Sequence, residues 1–103
     1  MTFGFPAYHT EQCAIGATVP DWHSVVKETF GALSWSVREE TRDEIVGSTS
    51  LNLRSWGEKV LVKSLPDNTI SVTSKCALPT QCMDWGKNKK NVRRFIAEFK
   101  RHI

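Results

Sequence analysis

The spacing of apolar residues indicates a helix in the first third of the chain. Between residues 18 and 33 the apolar side chains recur every three or four positions, which is typical of an amphipathic helix. Thr18 and Asp21 have the spacing of a capping box, with Asp in place of the usual Glu or Gln. Pro20 falls in the first turn, where a missing N–H is harmless. The sequence therefore predicts a helix over residues 18–33, with Gly31 ending it or lying in its last turn.

From residue 34 onward the apolar and polar residues alternate, which is the period of a half-buried β-strand. Charged or turn-forming residues interrupt the alternation three times. At Pro66, Asp67 and Asn68 the turn is favoured because Pro fixes φ and Asp and Asn bond to their own backbone. Short turns between consecutive strands favour an antiparallel meander. The predicted strands are residues 34–39, 44–53, 58–65 and 69–78.

Both ends of the chain add one element to this series. Residues 2–17 are predicted to be extended, with a possible strand over 9–17. Asp84 is a suitable N-cap for a final helix over 84–102. That helix has an apolar stripe wide enough to lie on a sheet, formed by Trp85, Val92, Phe95, Ile96 and Phe99.

The order β-α-β-β-β-β-α defines an expected fold class. An antiparallel sheet with one apolar face and two amphipathic helices can bury each other as two layers. We therefore predict an α+β two-layer sandwich, with a four- to five-stranded antiparallel meander packed against both helices. The 103 residues are enough for one domain with its own core, which we expect to span residues 1–103.

Composition excludes several classes of protein. The chain is 40% hydrophobic and 24% charged, which is ordinary for a globular domain and unlike a disordered one. No apolar run approaches the ~18–20 residues of a membrane-spanning helix, and the first residues do not resemble a secretory signal. Three cysteines make an odd set for a disulfide-built domain. We therefore expect a cytoplasmic protein with no membrane span.

Three short motifs stand out: Glu44-Ile45-Val46-Gly47, the Ser-rich strand 71–75, and the Asp-x-Gly-x-Asn turn at 84–88, followed by Asn91, Arg94 and Phe95. Together they resemble an uncharacterised bacterial family of small α+β domains of unknown function. The resemblance covers about half the chain. Segment 76–83 departs from the family pattern, because it has two cysteines and a proline in place of a shorter link that contains glycine. The resemblance implies a similar fold and no particular activity.

The residue types that support metal binding or catalysis do not form a known motif here. Cys76 and Cys82 are too far apart in sequence for a zinc knuckle, and we predict no metal and no cofactor. Cys82 precedes a helix N-terminus near Lys75 and Lys87, a setting that lowers a thiol pKa, but no neighbouring His supports nucleophilic catalysis. The acidic cluster at 39–44 alternates with arginines and is typical of a solvated turn. No phosphate loop, dinucleotide fingerprint or nucleophile elbow is present, and we assign no catalytic residue.

Charge is distributed unevenly along the chain. The formal net charge is only +3, but residues 84–103 contain seven Lys or Arg and two acids, a local charge of +5. A basic helix face and a helix N-terminus both attract anions. The alternative is that basic residues favour helix formation and solubility, and that Lys100 and Arg101 complement the helix dipole. The candidate residues for binding an anionic ligand or acidic partner are Lys75, Lys87, Asn88, Lys90, Asn91 and Arg94.

Two other functions stay open at this point. A small-molecule pocket or enzyme site is possible between the sheet and the helices, near Ser74, Cys76 and residues 84–91. The polar residues of that segment also have a purely structural explanation, because Asp84 would cap the helix and the asparagines would hydrogen-bond to the preceding loop. An interaction subunit, with a partner on the second face of the sheet, is the other possibility. Nucleic acid is the weakest partner hypothesis, because no helix-turn-helix or zinc-finger pattern accompanies the charge.

Overall fold

The computed structural model describes residues 8–15, 21–49, 57–76 and 87–103, without the side chains of Cys76 and Lys87. It confirms the α+β class and the predicted order of elements. The predicted capping residues Thr18 and Asp84 and the predicted first-turn residue Pro20 lie outside the described residues, and the first helix begins at Trp22 instead of residue 18. The elements are β1 (Tyr8–Ala14), α1 (Trp22–Ala32), β2 (Ser36–Glu40), β3 (Glu44–Ser48), β4 (Glu58–Leu65), β5 (Thr69–Cys76) and α2 (Lys87–Arg101).

The strands form one antiparallel sheet in the order β1-β5-β4-β3-β2. Strands β2 to β5 are the predicted meander, and β1 is added at the far edge, beside β5. The register of β1 and β5 is continuous from Tyr8↔Lys75 to Ala14↔Thr69. The β2–β3 register shifts between Val37 and Glu39, which marks a bulge on the opposite edge.

Local hydrogen bonds determine the ends of α1. Asp21 is the N-cap, and its carboxylate accepts hydrogen bonds from the Ser24 N–H at 3.2 Å and the Ser24 hydroxyl at 2.7 Å. Gly31 lies in the last turn, as predicted. Ser34 follows with a φ of 61°, a left-handed conformation that ends the helix, so β2 starts at Ser36 instead of residue 34.

The core lies between the sheet and the two helices. Three aromatic rings form its centre, with Phe30 edge-on to Phe95 at 5.5 Å between centroids and Phe95 stacked on Phe99 at 5.7 Å. Alternate residues of the central strands face these rings, while the intervening residues lie on the outer face of the sheet. The apolar residues with no exposed area among those described are Val26, Phe30, Ile45, Val60, Val62, Ile70, Val72, Val92, Phe95 and Phe99. Within the described ranges no helix is both long and apolar enough to cross a membrane.

Candidate functional site: the basic face of helix α2

Helix α2 has two faces of opposite character. Asn88, Asn91, Val92, Phe95 and Phe99 are buried at helical spacing and attach the helix to the sheet. Most of the intervening positions are exposed and cationic. We call four of them, Lys89, Lys90, Arg93 and Arg94, the basic face. Because the buried side is packed into the core, the helix presents these cations on a rigid element.

The basic face surrounds a shallow surface groove of about 460 Å³. Its walls are Lys89, Lys90, Arg93 and Arg94, and Ala97 completes the lining. Long basic side chains can cover a surface with their alkyl stems while the charged groups stay in water. The walls are accordingly mostly apolar. The groove can therefore contact both the charge and the apolar part of a ligand.

Few acidic groups neutralise the basic face. Arg93 Nε lies 3.4 Å from Glu11 Oε2, and no ion pair within the described ranges involves Lys89, Lys90 or Arg94. The hydrogen bond from His9, followed by that from Arg93, holds the pKa of Glu11 below its ordinary value although desolvation opposes the shift. Glu98, the acid on α2 itself, faces Arg101 and His102 at the other end of the helix. The acidic side chains of the described residues therefore leave most of the positive charge of the groove uncompensated.

The first turns of α2 are joined to the sheet by a buried polar network. Asn91 Nδ2 donates to Glu58 Oε1 at 2.9 Å and to Ser74 Oγ at 3.2 Å. Ser74 Oγ donates in turn to Asn88 Oδ1 at 2.8 Å, and Thr49 Oγ1 donates to Glu58 Oε1 at 3.1 Å. No buried side-chain nitrogen or oxygen in the described part of the chain lacks a partner. A network satisfied in this way stabilises the start of α2.

Two of the predicted binding residues belong to this network. The side chains of Asn88 and Asn91 are 0% and 5% exposed and bond to Ser74 and Glu58. Lys90 and Arg94 lie in the groove. Lys75 is exposed, but it alternates with buried Ser74 and so lies on the outer face of the sheet, across from α2. The side chain of Lys87 is not among those that the structure describes.

Four residues of this region were not among the candidate site residues predicted from the sequence. Lys89 and Arg93 extend the groove, and their exposure follows from helical spacing once Phe95 and Phe99 are assigned to the core. Glu58 and Thr49 complete the network. Glu58 has the same phase along β4 as buried Val60 and Val62, and it is itself only 6% exposed. The strand alternation therefore already indicated an inward-facing carboxylate.

Other candidate groups are dispersed. Cys13 is a free, buried thiol, and burial raises its pKa; Cys82 and the side chain of Cys76 lie outside what the structure describes. No group of three or more His, Cys, Asp or Glu among the described residues could hold a metal ion. The acidic turn is exposed, and Glu40 there binds His23 at 2.7 Å and Lys27 at 3.3 Å.

The fold and this surface define a small α+β domain with a basic, outward-facing helix. Comparison of the chain with protein-family models, curated proteins and solved structures gave no match. The resemblance to a bacterial family of unknown function stays a prediction. The functional proposal therefore depends on the geometry and charge of the described residues.

Proposed function

We propose that this domain is a non-enzymatic binding module whose basic face binds an anionic ligand or an acidic partner protein. The observation that carries the proposal is the groove on α2, where four cations line one cavity and only Arg93 has an ion pair within the described residues. Like charges three or four residues apart on a helix repel each other. A bound anion offsets that repulsion, so the free protein attracts one.

The chemistry of the groove favours carboxylate or phosphate groups. Arg93 and Arg94 carry planar guanidinium groups that can donate two parallel hydrogen bonds to one such anion. Lys89 and Lys90 add mobile point charges one turn earlier. An acidic partner would be recognised by its complementary charge, and salt screens interactions between exposed charges. We therefore expect the affinity of the domain for such a partner to fall as the salt concentration rises.

The alternative pocket between the sheet and the helices is less well supported. Ser74, Asn88 and Asn91 do lie together, but their polar atoms bond to one another and to Glu58. Groups that satisfy each other in the interior give a structural account of the cluster without a ligand. A cytoplasmic location, proposed from the odd number of cysteines, is compatible with the free thiol of Cys13.

A charge-reversal pair tests the proposal. The variant Lys90→Glu/Arg94→Glu changes the groove, and Lys59→Glu/Lys63→Glu changes the net charge equally on the outer face of β4. We expect the groove variant to bind a polyglutamate peptide and a sulfated polysaccharide at least about tenfold more weakly, or ~1.4 kcal/mol, at low salt. The control should retain most of the native affinity. Fluorescence polarisation measures the affinity for the peptide. The salt concentration that elutes the protein from the immobilised polysaccharide measures the strength of the second interaction.

Two results would contradict the proposal. One is an equal loss in the control variant, because binding would then depend only on total charge. The other is a native protein that binds neither probe at low salt. The single variant Lys75→Glu decides whether the binding surface extends to the outer face of the sheet, and retention of binding there restricts the site to α2.

A further inference from the structure

No strand of the described residues lies along the outer edge of β1. In an antiparallel pair, the N–H and C=O of one residue point to the same side, and the side alternates along the strand. The Ile15 N–H donates to the Asn68 carbonyl at 2.8 Å, which continues the β1–β5 register. His9, Glu11 and Cys13 therefore bond toward β5. The groups of Tyr8, Thr10, Gln12 and Ala14 point away from the sheet, and among the described residues only the Cys13 thiol bonds to one of them, the Ala14 carbonyl at 3.6 Å.

The two edges of the sheet differ in how they are protected. Natural proteins protect edge strands with bulges, short length and charged side chains. Strand β2 has all three, with a bulge after Val37 and the charged residues Arg38, Glu39 and Glu40 among its five positions. Strand β1 has seven residues in continuous register with β5, and its outer-face side chains are uncharged. Among the described residues, the edge at β1 is thus the one without these protective features on its outer face.

We propose that β1 pairs antiparallel with β1 of a second copy of this chain, across a two-fold axis at Thr10. The pairing joins two five-stranded sheets into one continuous sheet. Thr10 then lies opposite Thr10 of the second copy, and Tyr8 lies opposite Gln12. Each of these pairs exchanges two backbone hydrogen bonds in a regular ladder. The interface is isologous, as a two-fold axis requires.

Side-chain complementarity selects this register. It places His9 directly opposite Glu11 of the second copy, and these two side chains already bond within one chain at 2.8 Å. A shift of two residues in either direction places Glu11 opposite Glu11 or His9 opposite His9. Like charges directly opposite each other destabilise a pair of strands, and two opposed histidines lack the carboxylate partner that this register provides. Arg93 Nε, 3.4 Å from Glu11 Oε2, adds a cation beside each His9–Glu11 pair.

The outer face of the sheet favours the same register. Thr10 Oγ1 and Thr73 Oγ1 form a hydrogen bond at 2.8 Å across β1 and β5. With Thr10 on the axis, this row of hydroxyls continues into the second copy, and cross-strand threonine pairs are favourable. A second copy therefore matches the edge on both faces. The interface is small, so the association is expected to be weak and dependent on concentration.

A proline substitution in β1 tests the pairing. Because the N–H of Gln12 points outward, Gln12→Pro removes no bond to β5, which is the position where an edge strand tolerates proline. Thr10→Lys is a second variant that places two cations on the axis, and Gln12→Thr is the matched control. In sedimentation equilibrium from micromolar to millimolar protein, we expect the native chain and Gln12→Thr to rise from 11.7 kDa toward twice that mass. The two edge variants should stay at one chain mass, with native near-ultraviolet circular dichroism.

A native chain that stays monomeric up to millimolar concentration would overturn the proposal, as would association of both edge variants at the native strength. Charge exchange tests the register separately. His9→Glu places acid opposite acid and should raise the dissociation constant about tenfold, whereas His9→Glu/Glu11→His should restore most of the affinity. Equal weakening in the single and double variants would exclude this register. None of these measurements depends on anion binding by α2, so the two proposals can fail independently.

Discussion

Gly47 in β3 lies against the ring of Phe30 from α1. A Cβ atom built at Gly47 would overlap that ring, which is itself held by Trp35 at 6.0 Å and Phe95 at 5.5 Å between ring centroids. We therefore expect Gly47→Ala to lower the free energy of unfolding by about 1–3 kcal/mol, the usual cost of overpacking a core. Urea unfolding followed by tryptophan fluorescence measures this difference.

Gly31 provides the matched control at the same scale. A Cβ built there meets no atom within 4 Å, and the residue lies in the last turn of α1. Alanine is the better helix former, so Gly31→Ala should raise the free energy of unfolding by about 0.4–1 kcal/mol. Equal stability of Gly47→Ala and the native chain would show that Phe30 can move aside, and would remove the steric explanation for this glycine.

At the scale of elements, His23 fastens α1 to the turn between β2 and β3. Its Nδ1 donates to Glu40 Oε2 at 2.7 Å and its Nε2 donates to the Arg42 carbonyl at 2.9 Å. Both partners only accept hydrogen bonds, so both are satisfied when the ring is doubly protonated. The hydrogen bond to Glu40, followed by the bond to Arg42, raises the pKa of His23 above its ordinary value although desolvation opposes the shift.

This arrangement predicts a loss of stability on the alkaline side. A pKa that is higher in the folded state stabilises the protein fully below the unfolded value of 6.5, and the contribution is lost as pH rises through the folded pKa. As pH rises above 6.5 and through the folded pKa of His23, the urea concentration at the midpoint of unfolding should therefore decline. The variant His23→Gln should remove this decline. His102→Gln, at the end of α2, is the control that should retain it. A native decline that persists in His23→Gln would assign the effect to another group.

The same bond acts in the opposite direction in acid. It lowers the pKa of Glu40 below its ordinary value of 4.5. Its contribution to stability is present above that value and is lost as pH falls through the lowered pKa. The link between α1 and the turn is therefore strongest at pH values between the ordinary pKa of Glu40, 4.5, and that of His23, 6.5.

Periodicity alone predicted most of the elements, because each of them buries one face. Alternation identified β4 through Val60 and Val62, and the 3.6-residue period identified α2 through Val92, Phe95 and Phe99. The position of β1 beside β5 was not predictable, because an edge strand bonds on one side and its pairing is a long-range choice. The alternation along β4 does place Glu58 inward, but its partners Asn91 and Thr49 are distant in sequence, so the polar network itself was not predictable from spacing.

At the scale of the whole molecule, the fold turns a charged segment of sequence into an oriented surface. The 20 residues from position 84 carry a charge of +5, whereas the rest of the chain carries −2. Packing of Phe95 and Phe99 directs part of that charge outward as the basic face, while Glu58 is kept in the interior. Charge density on this face is therefore higher than the net charge of +3 suggests.

This distribution predicts that divalent anions stabilise the protein through α2. A ligand that binds only the folded state raises the free energy of unfolding. Sulfate also stabilises proteins in general by exclusion from their surface, so the informative quantity is the difference between variants. At equal ionic strength, replacing chloride by sulfate should raise the melting temperature of the native chain and of Lys59→Glu/Lys63→Glu more than that of Lys90→Glu/Arg94→Glu. An equal rise in the melting temperature of the native chain and both variants would mean that sulfate acts by exclusion alone and that the groove has no affinity for this anion.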